Sequence, residues 1–179
     1  MDDLYIAKVL EGDTEAFRYF LRKYQDMAFS LAMSVLKDEF ASEETVQDAF
    51  MKAFGALSSF SRQSSFKTWF YRIVLNEAFL RRNKQQRDFL EFKEAYEDEV
   101  VDEATLEQKS QDEKTWLVNE ALKRLPEREA VVLRLFYLEE ESIKTVNEIT
   151  GWSEANIKVI LHRARKNMLT VINKLMKYE

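Results

Sequence analysis

The chain has 179 residues, 46% of them hydrophobic, 13% aromatic and 33% charged, with a formal net charge of −5. That content can bury one or two modest cores and excludes a chain too polar to fold. It contains no cysteine, which excludes disulfides, thiolate metal sites and cysteine nucleophiles.

No apolar run approaches the roughly 18 residues that a membrane span requires. The N-terminus, MDDLYIAKVLEGD, is acidic and lacks the basic start of a signal peptide, so a cytoplasmic protein is expected. Three glycines and one proline are too few for the turns of a sheet-rich fold, so the sequence predicts long helices with short connections. Residues 3–10 predict a short first helix ending near Gly12. Asp13 is expected to cap a second helix, on which Phe17, Phe20, Leu21, Tyr24, Ala28, Leu31 and Val35 form a long apolar stripe. Ser42 is expected to cap a third, with Glu43 and Glu44 in the first turn, where the helix dipole favours acids. Its core side is Val46, Ala49, Phe50, Ala53 and Phe54. Its polar side carries Glu43, Glu44, Gln47, Asp48 and Met51, and reads either as a solvated face or, with a methionine among acids, as a partner surface.

Gly55 to Ser65 is a small polar loop holding Leu57 and Phe60. Residues 64–87, SSFKTWFYRIVLNEAFLRRNKQQR, predict one long helix capped by Ser64 or Ser65. Phe66, Trp69, Phe70, Ile73 and Leu80 recur at helical spacing as one apolar face, while Tyr71, Leu75 and Phe79 lie roughly opposite. Seven basic residues stand against one acid between Arg62 and Arg87, in a chain that is acidic elsewhere. Rings mixed with positive charge suit single-stranded nucleic acid, because rings stack on exposed bases while Lys and Arg track phosphates. A core helix with a snorkelling basic end is the alternative reading. Residues 88–113 are acidic without a regular apolar stripe and read as a linker, extended or partly helical. Nothing fixes a ligand geometry around its Glu97–Asp98–Glu99 run, so no metal site is expected.

The helical pattern returns at Trp116, with Leu117, Ala121, Leu122 and Leu125, and stops at Pro126, which suits the first turn of a following helix, PEREAVVLRLFYL. Ser142 caps SIKTVNEIT, Gly151-Trp152-Ser153 makes a turn, and a last helix runs from Glu154 to about Lys177. Two helices joined by a tight glycine turn, the second rich in Lys and Arg, match a helix-turn-helix. Ile157, Leu161, Ala164 and Met168 face inward; Ala155, Lys158, Val159, His162, Arg163 and Lys166 fall on the side that would enter a major groove. A helical hairpin with a basic surface is the other reading.

Three blocks in this order, ASEETVQDAFMKAF, SSFKTWFYRIVLNEAFLRRNKQQR and ALKRLPEREAVVLRLFYLEEESIKTVNEITGWSEANIKVILHRARKNML, resemble a bacterial sigma factor of the small extracytoplasmic-function type in the sigma-70 family. The resemblance implies an all-α chain with two helical domains, residues 1–87 and 114–179, joined by the flexible acidic linker. It also implies binding to core RNA polymerase, recognition of −10 and −35 promoter elements and help in melting DNA. An anti-sigma factor is an implied further partner; no catalytic residue, cofactor or membrane insertion is implied. Carried onto this chain, Glu44, Gln47, Asp48 and Met51 lie in the block that grips the polymerase. Trp69 and Asn76 match the W and N of a W-x-x-x-I-x-x-N pattern beside the flipped-base pocket of the −10 element, with Ser61 to Ser65 the neighbouring loop. The implied −10 set is Ser64, Ser65, Lys67, Trp69, Tyr71, Arg72, Asn76 and Arg82. The implied −35 set is Ser153, Asn156, Lys158, Val159, His162, Arg163 and Lys166.

The third block departs from the family pattern. Where the first helix of the motif usually reads S-Y-x-E-I-A, this chain has Ser142-Ile143-Lys144-Thr145-Val146-Asn147. Where the recognition helix usually reads T-V-K-S-R-L, it has Asn156-Ile157-Lys158-Val159-Ile160-Leu161, so an arginine is missing at Ile160 and a serine at Val159. Losing one candidate for bidentate reading of guanine leaves a duplex affinity expected to be largely electrostatic. An enzyme is the rival from another class, but one histidine and no glycine-rich phosphate loop leave most such chemistries without parts. A helical di-iron site wants Glu-x-x-His, and the residue three before His162 is Val159. A helix-turn-helix regulator with a helical effector domain accounts for residues 115–179 but leaves the basic aromatic helix without a task.

Overall fold

The computed structural model describes residues 1–89 and 111–177. They are helical, with no strand among the described residues, and divide into two compact units. Most of the expected linker, 90–110, lies outside the described residues; its first two residues complete one helix and its last three begin the next.

The first unit holds α1 (Asp2–Leu10), a 3-10 turn (Thr14–Phe17), α2 (Arg18–Leu36), α3 (Glu39–Ala56), a second 3-10 turn (Leu57–Ser59) and α4 (Phe66–Phe89). Gly12 at φ 106 takes the chain out of α1, a conformation open to glycine at little cost. Asp13 caps as expected, its carboxylate accepting the Ala16 amide at 3.2 Å. The expected cap of α3 is corrected: Asp38 Oδ1 accepts the Ala41 amide at 2.7 Å, so the helix starts nearly a turn before Ser42. Ser42 lies buried inside the first turn and its hydroxyl donates to the Asp38 carbonyl at 2.6 Å. An ionised carboxylate already holds the first free N–H groups, which leaves Ser42 to satisfy itself locally.

Aromatic side chains tie α2, α3 and α4 together. Phe20 meets Phe66 with ring centroids 4.1 Å apart, Phe50 meets Phe70 at 4.4 Å, and Tyr24 lies 5.6 Å from Phe66 and 6.2 Å from Tyr71. Each such pair contributes about 0.5–1.5 kcal/mol beyond the area it buries, so this cluster, more than local propensity, sets the packing of the three helices. The buried face of α4 is Phe66, Phe70, Tyr71, Val74, Leu75 and Ala78. It is rotated from the expected stripe: Trp69 and Ile73 are half-buried and Leu80 is exposed, while Tyr71 and Leu75 are core. Asp2 anchors α1, accepting hydrogen bonds from the Tyr24 hydroxyl at 2.5 Å, the Lys23 ammonium at 2.5 Å and the Tyr19 hydroxyl at 2.8 Å. Burial alone would raise the Asp2 pKa, but these donors, Lys23 foremost, hold it below the usual carboxylate value. Burial, and then the bond to Asp2, push the Tyr24 phenol up.

The second unit holds α5 (Gln111–Arg124), α6 (Glu127–Leu133), a π turn (Arg134–Leu138), α7 (Ile143–Thr150) and α8 (Glu154–Lys177). Pro126 precedes α6, and its carbonyl accepts the Ala130 amide at 3.0 Å. The helical run does not continue evenly to Leu138 as expected. From Arg134 it widens into the π turn, where the Glu139 amide donates to the Arg134 carbonyl at 3.0 Å. Both α5 and α6 pack against α8, and Leu117 and Ala121 meet Ile172 and Leu175 in a common core. Trp116, expected on that inward face, is exposed.

Candidate nucleic-acid interface

Ser65, of the two serines considered, caps α4: its Oγ accepts the Thr68 amide at 3.0 Å. The helix therefore starts rigidly from the 60–65 loop and presents an open face of Trp69, Arg72, Ile73, Asn76 and Leu80, spaced by three and four residues. Trp69 stands on Phe60 and Phe66, with ring centroids at 4.8 and 5.6 Å. Arg72 and Asn76 are exposed, Lys67 lies with its ammonium 5.6 Å from the Tyr71 ring centroid, and Arg82 is half-buried. Tyr71 is corrected: at 2% exposure its ring is core and has no free face for a base. It belongs to the buried side of α4 because it lies two residues from Trp69, nearly opposite on the helix. Beside the loop opens a cleft of about 620 Å³ lined by Met1, Asp2, Asp3, Lys23, Phe60, Arg62, Ser64, Ser65 and Phe66. Phe60 was legible only as a loop aromatic, and its place under Trp69 comes from the tertiary fold.

The outer face of α3 carries Glu43, Glu44, Gln47, Asp48 and Met51, all at least partly open, with Met51 at 73% exposure. Phe40, at 70%, and Phe54 extend the same face, and sequence reasoning had not included them in it. Phe40 was hidden because the helix starts earlier than expected; Phe54 was assigned inward and lies at the rim. The acids are not lone charges. Arg81 of α4 donates from Nη1 to Glu44 Oε2 and from Nη2 to Asp48 Oδ2 at 3.0 Å. Farther along, Lys52 Nζ lies 2.6 Å from Glu77 Oε1.

In the second unit Gly151, at φ 73, turns the chain from α7 into α8, and the Asn147 amide donates to the Trp152 carbonyl at 2.7 Å. Ser142 and Ser153 cap the two helices, accepting the Thr145 amide at 3.0 Å and the Asn156 amide at 3.3 Å. Asn156, Lys158, Val159, His162, Arg163 and Lys166 are all exposed on α8, as expected. Ile160 is 8% exposed and lies on the inward side with Ile157, Leu161 and Ala164. This corrects the argument from the missing arginine: position 160 is no part of the open row, so its isoleucine is a packing choice. Arg165 is held at the rim, its Nε donating to the Tyr137 hydroxyl at 2.6 Å. Behind it, Val118, Leu122, Leu133, Tyr137, Leu138, Met168, Leu169 and Ile172 line an apolar groove of about 380 Å³. Among the described residues no helix is long and apolar enough to cross a membrane, and no cluster of metal-ligating side chains forms.

A capped basic helix with an open aromatic face, together with a helix-turn-helix whose second helix is basic and exposed, defines a DNA-binding transcription protein. Residues 20–88 match the family model for Sigma-70 region 2, and residues 116–168 match that for Sigma-70 region 4. The RNA polymerase sigma-H factor of Pseudomonas aeruginosa is 33% identical over 161 residues, covering 81% of each chain. The ECF RNA polymerase sigma factor SigW of Bacillus subtilis is 27% identical, covering 90% of this chain and 91% of its own. Among solved structures, the sigma factor RpoE of Bartonella quintana, in complex with the anti-sigma factor NepR, superposes with a TM-score of 0.68 at 22% identity, over 87% of this chain and 96% of its own. The chain belongs to the sigma-70 family, as an RNA polymerase sigma factor of the extracytoplasmic-function type. It directs transcription initiation by RNA polymerase at promoter DNA, a regulatory and not an enzymatic task.

Proposed function

We propose that residues 1–87 bind core polymerase and read the −10 element, that residues 114–179 read the −35 element, and that the acidic stretch between them serves as the linker. The carrying observation is the open face of α4, where Trp69, Arg72 and Asn76 stand beside a capped loop and a cleft roomy enough for a base. Unpairing a base costs a few kcal/mol, which stacking on Trp69 and polar contacts to Asn76, Ser64 and Ser65 offset. Lys67, Arg72 and Arg82 then follow the phosphates of the melted strand. Glu44, Gln47, Asp48 and Met51, with Phe40 and Phe54, form the polymerase face: an apolar stripe edged by acids.

On α8, Asn156, Lys158 and Arg163 are placed to touch base edges and Val159 a thymine methyl, while Ser153, His162 and Lys166 hold register on the backbone. The protein acts in the cytoplasm, where the polymerase is. An anti-sigma protein is a further partner, supported by the complexes in which its structural relatives were solved. Transcription in vitro by added core polymerase over a promoter library tests the whole reading. Initiation confined to one −10/−35 pair is expected. Duplex binding with no initiation would instead mark a regulator that works without entering the polymerase.

A further inference from the structure

Arg81 has no part in the stacking face of α4 and does not line the cleft; it points the other way, to α3. One guanidinium nitrogen reaches Glu44 and the other reaches Asp48, two carboxylates one helical turn apart. The arginine side chain is 27% exposed, while those of Glu44 and Asp48 are 46% and 52% exposed. The cation therefore lies beneath the acids and the acids lie toward solvent. Arg81 takes one oxygen of each carboxylate, leaving the second for a cation on a partner. A planar guanidinium with fixed fork geometry can hold two carboxylates at a set spacing, which a lysine ammonium, a point charge on a flexible stem, cannot do.

We propose that Arg81 is a positioning residue for polymerase binding: it fixes Glu44 and Asp48 in one geometry so that α3 presents a preorganised pair of acceptors. This rests on the reading of α3 as the polymerase face. Two long carboxylate side chains free to turn would lose rotamer freedom on binding, and holding them beforehand removes that loss. Lys52–Glu77 supplies an internal control, because it also joins α3 to α4 but holds neither acid.

The test titrates full-length protein against core polymerase, with a thermal melt of every variant. Arg81→Ala is expected to weaken binding about tenfold, within the range seen for coupled charges in one network, and Arg81→Lys to restore only part of it. Glu44→Gln with Asp48→Asn should weaken binding as well, and adding Arg81→Ala to that pair should cost little more. Lys52→Ala should leave affinity near wild type even where the melt falls. If Arg81→Ala binds like wild type while the acid variants do not, the positioning role is wrong and the polymerase face stands. If the acid variants also bind like wild type, the reading of that face fails. Equal losses of affinity for Arg81→Ala and Lys52→Ala, in step with their melts, would reduce Arg81 to a helix-to-helix tie and overturn the proposal.

Discussion

Replacing Trp69 by alanine separates two duties that one ring performs. The ring is half-buried and packs against Phe60 at 4.8 Å and Phe66 at 5.6 Å. Losing two aromatic pairs at about 0.5–1.5 kcal/mol each removes about 1–3 kcal/mol from the stability of the first unit. Losing a platform for a flipped base removes a similar amount, about 1–3 kcal/mol, from the melted promoter complex. Because the magnitudes coincide, stability and function have to be measured apart. Asn76→Ala supplies the comparison, since Asn76 is exposed on the same face and contributes little to the core. Holoenzymes rebuilt with each variant, well below the melting temperature, are titrated for polymerase affinity. Promoter opening is followed by the fluorescence of 2-aminopurine placed in the −10 element. Both variants should retain affinity and open promoters about 5- to 150-fold less favourably, and only Trp69→Ala should lower the melting temperature. Equal losses in affinity and opening would show that this face of α4 supports the fold and not the base.

Gln47→Lys and Asp48→Lys should part company: both weaken polymerase binding, but only Asp48→Lys sets a cation against Arg81, lowering thermal stability by about 1 kcal/mol. A melt of each variant decides it, and identical melts would mean the Arg81 bridge contributes nothing in solution. On α8, Lys166→Ala should reduce the salt slope of promoter binding by about one and weaken all sequences alike. Arg163→Ala should cost about 1–3 kcal/mol on the preferred −35 sequence only, and equal weakening on a scrambled duplex would overturn its assignment to a base. Asp2→Asn should destabilise the first unit by about 1–2 kcal/mol near neutral pH, since buried Tyr24 loses a charged acceptor. The folded pKa of Asp2 lies below its ordinary value, so this difference is present above the unfolded value of 3.8 and fades as pH falls through the folded one. Urea melts of both proteins at pH 7 and pH 3 measure it.

The helix-turn-helix was legible almost residue by residue, because a glycine turn, two serine caps and a clean apolar stripe all agree. The faces of α4 were harder. That helix is apolar on most of its circumference, so spacing alone does not say whether Trp69 or Tyr71 meets the core. Aromatic partners on α2 and α3 decided it. The start of α3 was missed because Asp38 and Ser42 are both good caps four residues apart, and Lys37 ends α2 in a left-handed conformation usually given to glycine. Position 160 was misjudged by arguing from a motif letter before asking which way the residue faces. Arg81 was visible only as one more basic residue. Its bond to Glu44 spans 37 positions of chain, a distance at which no local pattern speaks.

The π turn at Arg134–Leu138 is in effect a one-residue insertion in a helix, and such an insertion sets phase. Each residue of an ordinary α-helix advances the chain by about 100°, so removing one residue here would restore regular winding and swing everything after it by about that angle. Tyr137 would leave its place over Arg165, and the loop into α7 would set off in another direction. Substitutions between Arg134 and Leu138 should therefore be tolerated far better than deletions. A chain shortened by one residue there would keep every residue of its recognition helix while delivering it to DNA out of step.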